Sequence, residues 1–211
     1  GIVGSDLKTK KFEKDLGKIL SGMLNNMESR GPDSAGFAIY NNENEQNYKY
    51  SLCINKLNFD DFKKEINEKI KTPTFNLLSD HVILNTDDEP KKVIKIIDSE
   101  FPNVSMVGYG KSIEIFKQVG NPKDVVKKFK LETFSGSHGI GHTRMATESA
   151  ITTDGSHPYS TGEDECLVHN GSLSNHNNLR RKPKKKGNIF NSENDTEVAA
   201  GYVSNSLSNN K

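Results

Sequence analysis

Three short blocks in the second half of the chain constrain it most: Gly141-His-Thr-Arg-Met-Ala-Thr147, Val168-His-Asn-Gly171 and Asn194-Asp-Thr-Glu-Val198. Each follows a short apolar stretch that reads as a strand, so their polar groups can gather at one sheet edge. The groups suit a small zwitterion. Arg144 offers a planar, permanently charged fork for a carboxylate, and Asp195 offers a counter-charge for an ammonium. Asn170 and Gly171 place an amide side chain beside an unhindered backbone N–H, a pair that can hold an oxyanion.

Composition narrows the setting. At 211 residues the chain can build one substantial core or two small ones. A hydrophobic fraction of 32% is low, while 27% charge with a formal net charge of +1 argues against nucleic acid or an anionic membrane as the main partner. No apolar run approaches the roughly 20 residues that span a bilayer, and no signal-peptide core is visible. A cytoplasmic protein is expected. Cys53 and Cys166 are too few and too far apart for a disulfide framework, and read as reduced, buried thiols.

Along the chain, Ile2-Val3 reads as the start of an inner strand. Apolar residues at Phe12, Leu16, Ile19, Leu20, Met23, Leu24 and Met27 have helical spacing over 11–29, with the methionines in the core, and Arg30-Gly31-Pro32 stops the helix. Residues 35–40 and 48–54 read as a strand pair around a polar turn. Residues 55–130 read as an inserted α+β segment: a helix over 59–70, a strand over 75–84, a helix over 91–101 and a strand over 104–109, an order that suggests a split βαβ unit. Gly108-Tyr-Gly110 lacks a full phosphate-loop fingerprint and reads as a plain strand-to-helix turn. Strands follow at 140–143 and 166–169, with a mobile loop able to close over a ligand at 152–162. A polar helix begins at 173–179, the basic run 180–186 reads as a solvated loop, 188–190 as a short strand, and 196–207 as a final helix.

Together with Gly1-Ile-Val-Gly4 and Arg30-Gly-Pro-Asp-Ser-Ala-Gly36, the three blocks resemble the glutaminase domain of class II glutamine amidotransferases, which are N-terminal-nucleophile hydrolases. The longer strings Gly141-His-Thr-Arg-Met-Ala-Thr-Glu-Ser-Ala150, Leu167-Val-His-Asn-Gly-Ser-Leu-Ser-Asn-His176 and Asn194-Asp-Thr-Glu-Val-Ala-Ala-Gly-Tyr202 look like the separate amidotransferase-like subunits that accompany glutamate synthase and N-methylglutamate synthase. A lone Arg or Asp is usually a surface ion pair, but three linked blocks in the family's order reverse that. The resemblance implies an α+β fold, a four-layer αββα sandwich spanning residues 1–211 with the 55–130 segment inserted, and with further strands after the last helix. It implies that Arg144, helped by the Thr147 hydroxyl, binds the α-carboxylate of L-glutamine or a related amino acid. Asp195 would bind the α-ammonium, Asn170 and Gly171 would form the oxyanion hole, and Arg30 would favour a nearby thiolate. No cofactor is expected in this chain; FMN, with or without an iron–sulfur cluster, is expected in a partner synthase subunit of a hetero-oligomer.

The family's nucleophile is a cysteine immediately before the Gly-Ile-Val-Gly segment. Its thiol, with an ordinary pKa of roughly 8.5, lies beside its own α-amine at roughly 7.7 to 8, so the amine can act as base. Here the first residue is Gly1. Three readings stay open on sequence: a glutaminase whose cysteine precedes Gly1, a binding module for glutamine, glutamate or N-methylglutamate, and a structural subunit with a vestigial pocket. A zinc site drawn from His138, His142, His157, Cys166 and His169 is the sharp rival. His138 and His142 flank a strand, where i and i+4 lie about 13 Å apart, and no metal is expected.

Overall fold

The computed structural model describes residues 1–41, 47–146, 150–185, 190 and 192–208. In chain order its strands are β1 (Ile2–Asp6), β2 (Ser34–Tyr40), β3 (Tyr48–Cys53), β4 (Thr74–Leu78), β5 (His81–Thr86), β6 (Ser105–Gly110), β7 (Ile113–Val119) and β8 (His138–Arg144). Its helices are α1 (Leu16–Asn26), α2 (Phe59–Asn67), α3 (Pro90–Glu100), α4 (Pro122–Lys128), α5 (His176–Lys185) and α6 (Asp195–Ser208). The strands form two four-stranded sheets, ordered β1-β8-β2-β7 and β4-β5-β3-β6, and every pairing is antiparallel.

Side-chain alternation produces the layers. On β2, Ala35, Phe37 and Ile39 face Leu16, Leu20 and Leu24 of α1 and Val125 and Val126 of α4. On the second sheet, Tyr50, Leu52, Val82 and Leu84 face Phe62 and Ile66 of α2 and Val93 and Ile97 of α3. A third cluster, Ala38, Cys53, Val107, Ile113 and Ile115, joins strands of both sheets. The result is helices, sheet, sheet, helices, the αββα arrangement.

Strand partnership is where local reading fails. β2 and β3 do not pair with each other: β2 lies between β7 and β8, and β3 lies in the other sheet between β5 and β6. β2 is buried almost end to end, as suits a central strand packed on both faces. β1 pairs only with β8 among the described strands, at the end of the sheet order. The apolar run 75–84 breaks at Ser79, whose φ of 60° marks a turn, and folds as the β4–β5 hairpin. The split βαβ order expected within 55–130 is present: β3 lies antiparallel between β5 and β6 and β5 antiparallel between β3 and β4, so β5-α3-β6 and β3-α2-β4 interlock as two such units, while β7 joins the other sheet.

The helix expected over 11–29 is helical α1 between two short 3-10 turns, Lys10–Asp15 and Glu28–Arg30. Its apolar face is narrower than the spacing suggested. Phe12 is 50% and Met23 37% exposed, and half-buried Met27 lies beside Gly1 rather than in the core. Gly108-Tyr-Gly110 leads from β6 directly to β7, not to a helix. The N–H groups of Lys111, Ser112 and Ile113 do bind an anion there, but it is the chain's own Asp164 carboxylate, at 2.9 Å from each. The basic run continues α5 to Lys185, and Arg180 is buried, donating to the carbonyls of Ser192 and Asn194. The strand expected at 188–190 falls largely outside the described residues.

Candidate active site

β8 ends on Arg144, and its register with β1 and β2 fixes what surrounds that end. Ser34 lies opposite Arg144, and Ile2 opposite His142. Gly1 caps the arrangement: its carbonyl accepts from the Thr143 N–H at 2.8 Å and its nitrogen donates to the Thr143 carbonyl. The 3-10 turn bearing Arg30 presses on the same strand end. A Cβ on Gly31 would stand 2.5 to 2.6 Å from Thr143 and Arg144 backbone atoms, so only glycine permits that approach. Asp33 then fastens the strand's exit, with its N–H on the Arg144 carbonyl at 3.1 Å and its carboxylate accepting from the Ala146 N–H at 2.7 Å.

A cavity of about 390 Å³ opens here, lined by Gly1, Arg30, His142, Thr143, Arg144, Met145, His157, His169, Asn170, Gly171, Ser172, Asp195 and Thr196. It brings together every residue expected to act on glutamine except Thr147, which lies outside the described residues. Arg144 is buried and donates to the Ala150 carbonyl at 3.3 Å. Gly171 has φ of 155°, a backbone conformation that favours glycine. Asp195 is the first residue of α6, and its carboxylate accepts from the Leu173 N–H at 2.6 Å. One carboxylate thus ties the Asn170-Gly171 segment to the helix start and still has lone pairs for an ammonium.

The floor holds groups for which no role in glutamine binding was expected. The His142 and His157 rings stack at 4.1 Å, and His157 Nε2 lies 2.9 Å from the Thr196 hydroxyl. Burial lowers the His142 pKa to about 4 and that of His157 to about 2, with Arg144 adding repulsion at both, so both rings are neutral at pH 7. The stretch 152–162 is no lid: Ser156, His157 and Tyr159 are buried, and a Cβ on Gly36 would meet the His157 carbonyl at 2.2 Å. The signal was Gly36, a glycine in the middle of an apolar strand, which marks a close backbone approach. Cys166-Leu-Val-His169 makes one bridge, Leu167 with Tyr159, rather than a strand. Cys166 Sγ faces the Tyr40 hydroxyl at 3.5 Å, away from the cavity lining, and burial raises its pKa to about 11. His138 stacks on Tyr40 at the other end of β8.

Lys117 runs beneath this floor, its ammonium donating to the Asp154 carbonyl at 3.2 Å and lying 4.6 Å over the Tyr159 ring. Burial lowers its pKa from 10.5 to about 8. Between those values the unfolded chain binds the extra proton, so stability rises with pH across roughly pH 8 to 10.5, by about 2–3 kcal/mol. Lys117→Met should remove that rise. Urea midpoints at pH 7.5 and 10 for both proteins measure it, and an unchanged difference would refute the assignment.

Comparison with known proteins agrees with this geometry. A family model described as a glutamine amidotransferase domain matches residues 130–205. The glutamine amidotransferase-like protein GlxB of Rhizobium meliloti is 47% identical over 214 residues, covering 100% of this chain and 71% of that protein. A glutamine–fructose-6-phosphate aminotransferase of Methanococcus maripaludis is 43% identical over 88 residues, 41% of this chain and 15% of its own. A solved structure described as the allosteric regulatory enzyme of purine biosynthesis matches with a TM-score of 0.50 at 17% identity, over 94% of this chain and 28% of its own, a likeness of fold. The chain belongs to the class II glutamine amidotransferases, with the N-terminal-nucleophile hydrolase fold. No helix among the described residues is long and apolar enough to cross a membrane.

Proposed function

We propose that this chain hydrolyses the side-chain amide of L-glutamine and passes the ammonia to a partner subunit in the cytoplasm. The observation that carries this reading is the convergence of Gly1, Arg30, Arg144, Asn170, Gly171 and Asp195 on one cavity. Arg144, with Thr147, holds the α-carboxylate, and Asp195 holds the α-ammonium. A cysteine joined to the Gly1 nitrogen supplies the thiol, since the described lining contains none. Its own α-amine takes the thiol proton as the sulfur adds to the amide carbon, and Asn170 with the Gly171 N–H stabilises the resulting oxyanion. The C–N bond then breaks as the α-amine returns its proton to the leaving nitrogen, and water hydrolyses the thioester to glutamate. Arg30 at the rim favours the thiolate.

The ammonia acceptor belongs to the same proposal: an FMN-dependent, glutamate-synthase-like or N-methylglutamate-synthase subunit, with or without an iron–sulfur cluster. Met145, 55% exposed at the cavity, would face it. A chain produced with cysteine before Gly1 should release glutamate and ammonia from glutamine. Changing that cysteine to Ala should abolish turnover and leave glutamine binding largely intact. Undiminished hydrolysis in the Ala protein would misplace the nucleophile, and glutamine binding without turnover in the cysteine form would favour the binding module. Recovery from the native host as a stable monomer without a flavoprotein would refute the partner.

A further inference from the structure

We propose that Cys53, Asp80 and His81 form a binding site for one zinc ion, separate from the glutamine cavity. One donor atom of each lies within 4.8 Å of the others, the sole such group of three among the described residues. The sheet makes this cluster. Cys53 on β3 and His81 on β5 are register partners, so both side chains leave the same face of the sheet. That face is opposite the one carrying Leu52 and Val82 to α2 and α3. Asp80 closes the β4–β5 turn directly before His81.

The donor set matches the ion. Tetrahedral zinc with thiolate, imidazole and carboxylate ligands needs ligand atoms about 3.3–3.6 Å apart, so shifts of about 1 Å would close the site. The mixture of sulfur, nitrogen and oxygen suits zinc better than magnesium or calcium, which take oxygen alone. Asp80 is already oriented, with one oxygen 2.9 Å from His81 Nδ1 and the other held by Lys128 Nζ of α4 at 2.9 Å. Its side chain keeps 24% exposure, leaving an entry for the ion and for water as fourth ligand.

His81 is fully buried, its ring packed near Phe129 at 4.8 Å and Phe116 at 5.9 Å, which fixes the imidazole at the cluster. The ring nitrogen facing Asp80 is Nδ1, at 2.9 Å, so Nδ1 would be the ligand, exchanging its hydrogen bond to the carboxylate for the ion. In the metal-free protein the Cys53 thiol donates to Asn55 Oδ1 at 3.4 Å; zinc displaces the thiol proton to solvent. None of the three ligands lines the glutamine cavity. The ion would clamp the end of β3 to the β4–β5 turn and, through Lys128, to α4, making it structural.

The test is a Co2+ and Zn2+ titration of the chelator-washed full chain. One equivalent of Co2+ should give a sulfur-to-cobalt charge-transfer band in the near ultraviolet, bleached by Zn2+, and saturating Zn2+ should raise Tm by about 5 °C or more. Cys53→Ser should lose the band. Asp80→Asn, on a half-exposed turn and expected to fold, should bind Co2+ about 10-fold more weakly, and decides the matter if the serine variant does not fold. Binding without a thiolate band, which would place the ion at the histidines of the cavity, overturns the proposal. A band that persists in folded Cys53→Ser, undiminished binding in Asp80→Asn, or a Tm indifferent to Zn2+ overturns it equally.

Discussion

Asn170→Ala is expected to lower kcat for glutamine hydrolysis by about 100- to 1000-fold, the usual consequence of removing one oxyanion donor, while KM stays near its starting value. Asn170 is exposed on the cavity lining, so nothing in the core depends on it and stability should be unchanged. The split between kcat and KM is the informative part. A donor that meets charge only in the transition state leaves ground-state binding alone. Steady-state kinetics on the cysteine-bearing chain, with a urea titration beside them, measure both quantities. A loss carried by KM, or an unchanged kcat, would remove Asn170 from the oxyanion role. Gly171 cannot be probed as simply, because a side chain there meets both the φ of 155° and His169 Nε2 at 3.1 Å.

The cavity was legible because its chemistry is local. Arg144, Asn170, Gly171 and Asp195 each stand where an apolar stretch ends or a helix begins, and residue type plus position is enough to nominate them. Their convergence follows from β8 lying between β1 and β2, with Asp195 hydrogen-bonded to Leu173 just beyond Gly171. The burial of His157 in the cavity floor escaped notice, although the residue was weighed as a zinc ligand, because Thr152, Ser156, Pro158 and Gly162 around it have loop composition, and composition does not report burial. The backbone there is packed because Gly36 on β2 admits it, and that contact spans more than a hundred residues. Thr147 and Glu148 lie outside the described residues.

The same contrast runs through the fold. α2, α3 and α6 were found near their true limits, since helical periodicity and caps such as Asn58, which accepts from the Asp60 and Asp61 N–H groups, are written within a few residues. Strand partners are not. Nothing near residue 40 says that β2 should leave β3 to the other sheet and take β7, some 70 residues later. What decides it is the sum of side chains that β2 presents on both faces, a property of the assembled core.

Phe37→Ala tests that core and is expected to cost about 3–5 kcal/mol, the range for truncating a fully buried aromatic. Phe37 sits at the middle of β2 with no exposure. Its ring lies 5.4 Å from that of Phe116, its register partner on β7, and 6.2 and 5.9 Å from Phe129 and Phe134. Its partner on the other side, Gly141, cannot fill a void, because a Cβ there would already touch Val3 and Leu24 at 3.0 to 3.1 Å. Phe116 is held in β7 by its pairing with β2, and Phe129 and Phe134 sit where α4 and the following 3-10 turn end, so the cavity would collapse only in part. Because Gly36, one residue away, carries the His157 backbone on the opposite face, loosening β2 should also weaken glutamine binding, which Phe37→Leu should largely restore. Urea denaturation gives the first effect and calorimetric titration with glutamine the second. A stability loss under about 1 kcal/mol, well below the range for a packed aromatic, would mean that β2 is not the strand around which the first sheet is packed.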